Sequence, residues 1–172
     1  MPKFPAIFAL LFASILGGCQ TAQVKSPVTL KYSDNDPDIQ LNFWHELADR
    51  KVTCNDDAFH ALLLFIDGKD DAKTYDQRVS TLKSRGLLQE SFNQPANLAV
   101  TRGVLAVAIV KYAGIKGGWV THVFGPSPRY AVKELVYDGI LPPSSPQQTF
   151  SGSEFVGVIG ALEDFQRPST AD

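Results

Sequence analysis

Residues 100–110, Val-Thr-Arg-Gly-Val-Leu-Ala-Val-Ala-Ile-Val, decide the fold class of this chain. Thr101 can cap a helix, because its hydroxyl can accept a free backbone amide of the first turn. The seven residues after Gly103 are all apolar, and Gly114 follows where a left-handed residue can close a helix. The stretch therefore predicts a capped and largely buried α-helix.

Two further stretches combine a polar capping residue with an apolar run. Thr53, Thr101 and Ser151 are separated by 48 and 50 residues (101 − 53 and 151 − 101). Glu154 completes a capping box with Ser151, and Asp56 approximates one with Thr53. The regular separation indicates an internal repeat.

A shorter helix that begins with an aromatic residue precedes each apolar run. The second and third short helices stop at Gly86 and Gly139, each followed by an apolar residue that can pack back. The sequence thus predicts an all-α domain over residues 39–168, in which three helical hairpins share one core. The predicted repeats cover approximately residues 40–68, 75–116 and 129–165.

The order of short helix, glycine with apolar residues, loop, Thr-Arg cap and long apolar helix resembles the S-layer homology (SLH) module. The middle repeat is the most similar, with Arg85-Gly86-Leu87-Leu88 and then Val100-Thr101-Arg102. The third repeat has Ser151-Gly152 in place of Thr-Arg. Where the family typically continues with Ala-Glu, this chain has Gly103-Val104.

The resemblance implies three modules in a pseudo-threefold bundle whose grooves bind peptidoglycan or another cell-wall glycan. It implies Thr101 and Arg102 as site residues, and a guanidinium there can hold a sugar acid in bidentate fashion. Trp119 and Arg129 are further candidate glycan contacts, because an aromatic ring can stack on a sugar and Arg129 can border the groove. There are alternatives for each residue: Trp119 can cover the core, and Arg129 can lie on a solvated face. The domain as a whole can also be a scaffold that no longer binds glycan.

The amino terminus predicts export. Lys3 precedes an apolar run, Phe4 to Leu16, that is shorter than the ~20 residues needed to span a bilayer. Leu16-Gly17-Gly18-Cys19 resembles the lipobox of bacterial lipoprotein signal peptides, which implies cleavage before Cys19 and acylation of Cys19. An ordinary secretory signal is the alternative.

The predicted lipid anchor places the protein in the bacterial envelope. Residues 1–18 form the predicted signal peptide, and the polar, proline-containing residues 19–38 form a predicted lipidated flexible tether. Gln20, rather than an aspartate, favours the outer membrane in a two-membrane host, with the domain facing the periplasm. Asp34-Asn35-Asp36 indicates a solvated turn and helix start rather than a calcium loop.

Composition and motifs argue against catalysis and nucleic-acid binding. Sixteen Lys and Arg residues against 18 Asp and Glu residues give a net charge of −2, and no basic stripe is present. A nucleophile elbow and a phosphate-binding loop are both absent from the sequence. His45, Cys54, Asp56 and His60 match no common zinc spacing, so His60 is interpreted as a structural histidine and Cys54 as a small core residue.

These observations predict a non-catalytic envelope lipoprotein, without cofactor or metal, that binds peptidoglycan or a cell-wall glycan. Its predicted partners are the membrane, through Cys19, and the glycan; no nucleic acid is expected. The alternative function is that of an accessory lipoprotein that docks onto an envelope protein of an outer-membrane or secretion complex.

Overall fold

The computed structural model describes residues 22–115 and 127–167. One short 3-10 helix (Val28–Leu30) and six α-helices form this part of the chain, and β pairing within it is limited to isolated bridges. The predicted all-α class is confirmed. The α-helices are α1 (Pro37–Ala48), α2 (Asn55–Asp67), α3 (Tyr75–Ser84), α4 (Arg102–Tyr112), α5 (Pro128–Tyr137) and α6 (Gly152–Gln166).

Local capping chemistry sets several helix starts where the sequence places them. The Asp36 carboxylate accepts the backbone amides of Asp38 and Ile39, and Pro37 occupies the first helical position of α1. Thr101 caps α4 through the amide of Val104, and Ser151 caps α6 within a complete capping box. The predicted helix start at Asp36 and the predicted caps of α4 and α6 are therefore confirmed.

The start of α2 differs from the prediction. Its capping residue is Cys54, which makes no side-chain capping bond, and the predicted cap Thr53 lies one residue earlier. The backbone of Thr53 is engaged elsewhere, because its amide donates to the carbonyl of Phe150 and its carbonyl accepts the amide of Val100. The hydroxyl of Thr53 is buried and has no hydrogen-bond partner in the described part of the chain.

The most extensive helix contacts join helices that belong to different predicted repeats. Helix α2 packs on α3, α4 packs on α5, and α6 returns to pack on α1. The predicted hairpins pair α1 with α2, α3 with α4, and α5 with α6, whereas the most extensive contacts observed join α2 to α3, α4 to α5, and α6 to α1. The largest fully buried side chains are Phe43, Phe59, Phe150, Phe155, Leu47, Leu62, Leu82, Leu105, Ile109, Leu135 and Leu162, with His60 among them.

Three backbone hydrogen bonds join the starts of α2, α4 and α6. In each case the first helical residue donates its amide to the loop before the next of these helices: Asn55 to Leu98 (2.9 Å), Arg102 to Gln148 (2.7 Å) and Gly152 to Arg50 (2.7 Å). The three bonds form a closed cycle, since the last acceptor precedes the first donor helix. The N-termini of the long helices therefore meet in one place.

The segment before α1 is part of the domain. Val28 is only 1% exposed, and Thr29 donates from its amide to Asp57 and from its hydroxyl to Asp56. Gln23 forms an antiparallel bridge with Leu98. The predicted flexible tether, residues 19–38, is therefore corrected for residues 22–38, because apolar burial and hydrogen bonding hold them against the helices.

Within residues 22–115 and 127–167, none of the helices combines the length and the apolar character needed to cross a bilayer.

Candidate functional site

The start of α4 is closely packed around Gly103. A Cβ atom at this position would lie 2.8 Å from the Cβ of Pro128 and 3.1 Å from the Cβ of Pro146. The amide of Gly103 also donates to the carbonyl of Pro146 at 2.9 Å. The glycine at this position thus has a steric reason: two prolines approach the helix more closely than a side chain allows.

A groove of about 550 Å³ opens beside this helix start, and we call it the α4 groove. Thr101 lies on it, together with residues of the loop before α4 and of the loop before α6. None of the described residues that line it carries a charge. They are Gln89, Ser91, Phe92, Asn93, Gln94, Thr101, Gly103, Val104, Pro128, Pro146 and Gln147.

Arg102 is held within the protein. Its Nη2 lies 2.8 Å from Oε1 of Glu154, its Nε donates to the carbonyl of Thr149 at 3.3 Å, and its guanidinium carbon lies 5.1 Å from the centre of the Phe150 ring. Arg102 as a whole is 7% exposed. Two of the three guanidinium nitrogens of Arg102 are therefore already bound within the protein.

Glu154 is fixed from two sides. Its Oε2 accepts the backbone amide of Ser151 at 2.9 Å while its Oε1 accepts from Arg102. The hydrogen bond from the Ser151 amide, assisted by the Ser151 hydroxyl and by the charge of Arg102, lowers the pKa of Glu154 below its ordinary value. At neutral pH the guanidinium is thus paired with an ionised carboxylate.

The side chains of Thr101 and Arg102 line different cavities. Arg102 and Glu154 border a second cavity of about 390 Å³, whose walls are mostly apolar and include Ile140, Leu141 and Phe150. Successive residues at a helix start point in different directions, which separates the two members of the Thr-Arg pair. The structure does not bring them together on one surface.

The first helical position, which Arg102 occupies in α4, is occupied differently in α6 and α2. The first residue of α6 is Gly152, where a Cβ atom would lie 1.6 Å from the carbonyl oxygen of Leu47. The first residue of α2 is Asn55, which is buried and donates from its side chain to the carbonyl of Pro95 at 2.9 Å. The start of α6 therefore has no room for an arginine, and the start of α2 uses this position to bind a loop.

The remaining predicted site residues lie apart from the α4 groove or outside the described residues. Arg129 is exposed on the first turn of α5 and does not line the groove, although its neighbour Pro128 does. Trp119 and Cys19 lie outside residues 22–115 and 127–167, so their predicted roles stay predictions.

A buried polar cluster lies between α2 and α3, and sequence reasoning missed it. Arg78 donates to Asp56 at 2.8 Å and also to Asp70, and Nδ1 of His60 lies 2.6 Å from Oδ2 of Asp70. We call Asp56, His60, Asp70 and Arg78 the Arg78 cluster. Burial by itself raises the pKa of Asp70, but hydrogen bonds from His60 and Arg78 outweigh it and hold the pKa below its ordinary value.

Asp57 lies beside this cluster and anchors the segment before α1. It accepts the amide of Thr29 at 3.0 Å and the thiol of Cys54 at 3.2 Å. Burial raises the pKa of Asp57, and burial together with the nearby Asp57 charge raises the pKa of the Cys54 thiol. Cys54 is thus a buried, protonated thiol, as its interpretation as a core residue requires.

The Arg78 cluster does not form an open site, and the described residues His45, Cys54, Asp56 and His60 are not grouped as a metal site. His60 is fully buried, and its ring packs edge-on against Phe43 with 4.5 Å between the ring centres. His45 is exposed on α1, apart from the buried His60 and Cys54. Among the described residues, no three His, Cys, Asp or Glu side chains are grouped so that they could hold a metal ion.

The sequence signal for the cluster was weak. Asp56 and Asp57 occupy the first turn of a helix, where acidic residues are common for electrostatic reasons alone. Arg78 lies on a short helix whose other residues are mostly polar.

Comparison of the chain with known protein families, curated proteins and solved structures finds no match.

Proposed function

We propose that this chain is a non-catalytic lipoprotein of the bacterial envelope whose SLH-like domain binds peptidoglycan or another cell-wall glycan. The observation that carries the proposal is the α4 groove, an uncharged groove of about 550 Å³ lined by hydrogen-bonding side chains. It lies at Thr101, in the cap that most resembles the SLH module. That volume is within the roughly 300–1,000 Å³ usual for ligand sites. The acyl anchor on Cys19 and the groove would join the membrane to the wall.

The cyclic order of contacts supports the proposed pseudo-threefold arrangement of three repeats. Each long helix packs on the short helix of the following repeat, and α6 closes the cycle on α1. The backbone bonds from Asn55, Arg102 and Gly152 follow the same order. Such an arrangement places a groove between successive repeats.

The chemistry of the groove favours a glycan over a charged ligand. The side chains of Gln89, Ser91 and Asn93 form no hydrogen bond within residues 22–115 and 127–167, so their polar groups are available to a ligand. Amide side chains both donate and accept, as sugar hydroxyls do. The apolar side chains of Phe92 and Val104 add a surface against which the C–H face of a sugar can pack.

The distribution of titratable groups supports a binding rather than a catalytic role. The described side chains with a shifted thiol or carboxyl pKa are Cys54, Asp57, Asp70 and Glu154, and none of them lines the α4 groove. A substrate in the groove would meet only hydroxyl, amide and apolar groups. Those groups position ligands well but exchange protons poorly at neutral pH.

Co-sedimentation with purified sacculi tests the proposed function. The full mature chain, solubilised in detergent, should sediment with sacculi, and Asn93→Ala should lower the retained fraction several-fold. Asn42→Ala, an exposed asparagine on α1, is the matched control and should sediment as the wild type does. No retention at any salt concentration would reject the proposal, and specific crosslinking to an envelope protein in cells would then favour the accessory-lipoprotein function.

The lipid anchor has a separate test. Cys19→Ser should abolish labelling by a radioactive or clickable fatty acid and should leave uncleaved precursor. Cys54→Ser is the matched control and should leave labelling intact, because the Cys54 thiol is buried. Labelling of the Cys19→Ser protein would contradict the proposal.

A further inference from the structure

We infer that the α4 groove selects an uncharged glycan carrying hydroxyl and acetamido groups and discriminates against acidic sugars. This inference rests on the proposed glycan-binding function and specifies its ligand class. It differs from the acid-binding role that the SLH resemblance implies for Arg102.

The pairing of Arg102 is the first argument. An arginine recognises an acidic sugar only if its guanidinium is free to form a bidentate pair. Here one nitrogen is bound to Glu154, another to the carbonyl of Thr149, and the plane lies near the Phe150 ring. Arg102 also borders the second cavity rather than the α4 groove. The Thr-Arg cap thus keeps its arginine to join α4 to α6.

The composition of the groove is the second argument. Its described lining contains four amide side chains, Gln89, Asn93, Gln94 and Gln147, and no charged side chain. An anion entering such a surface would lose hydration without gaining a countercharge, which is unfavourable. A neutral hydroxyl or acetamido group exchanges water for protein hydrogen bonds at little cost.

The mixed character of the walls is the third argument. Phe92, Val104, Pro128 and Pro146 lie among the amide and hydroxyl groups. The Phe92 ring is supported from below by Phe59, with 5.4 Å between the ring centres in an edge-to-face arrangement. An acetamido group presents a methyl group beside an amide, and so it complements a surface that alternates apolar and amide side chains.

Competition against sacculus binding tests the inference with defined oligosaccharides. The tetramer of N-acetylglucosamine should displace the full chain from sacculi and should bind it in calorimetry. Tetragalacturonate, an acidic tetramer, should bind at least tenfold more weakly. Raising the salt concentration from about 50 to 500 mM should change the affinity for the neutral tetramer less than twofold, because no ion pair is formed.

Two variants locate the binding. Asn93→Asp should weaken binding of the neutral tetramer at least fivefold, whereas the double variant Arg102→Gln, Glu154→Gln, if folded by circular dichroism, should keep it. Tighter binding of the acidic tetramer, a steep salt dependence, or loss of binding in a folded double variant would overturn the inference while glycan binding itself stands. If the chain sediments with sacculi but no oligosaccharide competes, the inference fails alone. If it does not sediment, the proposed function fails with it.

Discussion

Arg102 and Glu154 are paired across the junction of α4 and α6, with 2.8 Å between Nη2 and Oε1. The other oxygen of the same carboxylate accepts the amide of Ser151. Glu154 therefore closes the capping box of α6 and at the same time holds the start of α4. A single half-exposed side chain thus joins α4 to α6, and its removal should destabilise the starts of both helices.

Replacement of Glu154 should separate these two roles. Glu154→Gln keeps a side-chain oxygen for the Ser151 amide and should cost at most about 1 kcal/mol, because the Glu154 side chain is half exposed and solvent screens the pair. Glu154→Ala removes the cap as well and should cost about 1–2 kcal/mol. Urea unfolding monitored by circular dichroism measures both. Glu163→Ala, which removes an exposed pair with Arg167, is the control, and equal effects of all three variants would contradict the dual role.

The contact of Gly152 with Leu47 should make this glycine irreplaceable. Gly152→Ala places a Cβ atom 1.6 Å from the Leu47 carbonyl oxygen, so α1 and α6 must separate, and we expect a loss of about 3 kcal/mol or more. Gly160→Ala, also in α6 but with no atom within 4 Å of the added Cβ, should be stabilising by up to about 1 kcal/mol. Thermal and urea unfolding compare the two. A Gly152→Ala variant as stable as the wild type would contradict this close approach of α6 to α1.

The Arg78 cluster should be the most sensitive polar feature of the domain. Arg78→Met leaves Asp56 and Asp70 buried without their shared cation, and removal of one partner from a buried ion pair costs about 3–5 kcal/mol. Arg85→Met, which removes a partly exposed pair with Asp67, should cost less than about 1 kcal/mol. The free energies of unfolding in urea at pH 7 test this difference. Similar losses for the two variants would contradict the assignment.

The dependence of stability on pH should reflect opposite contributions from two aspartates. The folded pKa of Asp70 lies below its unfolded value, so the stability that Asp70 provides is present above about pH 4 and is lost as pH falls through the folded pKa. The folded pKa of Asp57 is raised by burial, so the folded state binds its proton first, and this contribution grows as pH falls.

Single amide substitutions distinguish the two contributions. Asp70→Asn should flatten the loss of stability between pH 6 and 3, and Asp57→Asn should make that loss steeper than in the wild type. Urea unfolding over this pH range provides the measurement, with Asp76→Asn, an exposed aspartate of α3, as the control. The same slope in both variants would show that the two carboxyl groups do not titrate in opposite senses.

The parts of the fold that depend on local chemistry were predictable from the sequence. Thr101 and Ser151 cap helices through bonds to amides three residues away, which a short window of sequence contains. The same pattern predicts Thr53 as a cap, but the backbone of Thr53 is bound to Phe150 and Val100, and Cys54 is the capping residue instead. Contacts with distant segments therefore set the start of α2.

The parts of the candidate site that depend on distant partners were not predictable. Arg102 looks like a free ligand-binding group in the sequence, because its partner Glu154 lies 52 residues further along the chain. In the sequence, Gly152 in place of arginine looks like the loss of a motif. In the structure, the backbone carbonyl of Leu47 lies where a side chain at position 152 would begin. Residues 22–36 look like a linker because they are polar, yet two of them, Val28 and Thr29, are buried.

If Cys19 is acylated as proposed, the bond between the amide of Ala99 and the carbonyl of Ala22 limits the distance between the helical body and the bilayer. Cys19 precedes Ala22 by only three residues, and three residues reach at most about 11 Å when fully extended. With Cys19 acylated as proposed, the domain lies close to the lipid headgroups and is not separated from them by a long flexible tether. A ligand of the domain would then have to approach the membrane surface. The bound ligand and the membrane would be held at a short, fixed spacing.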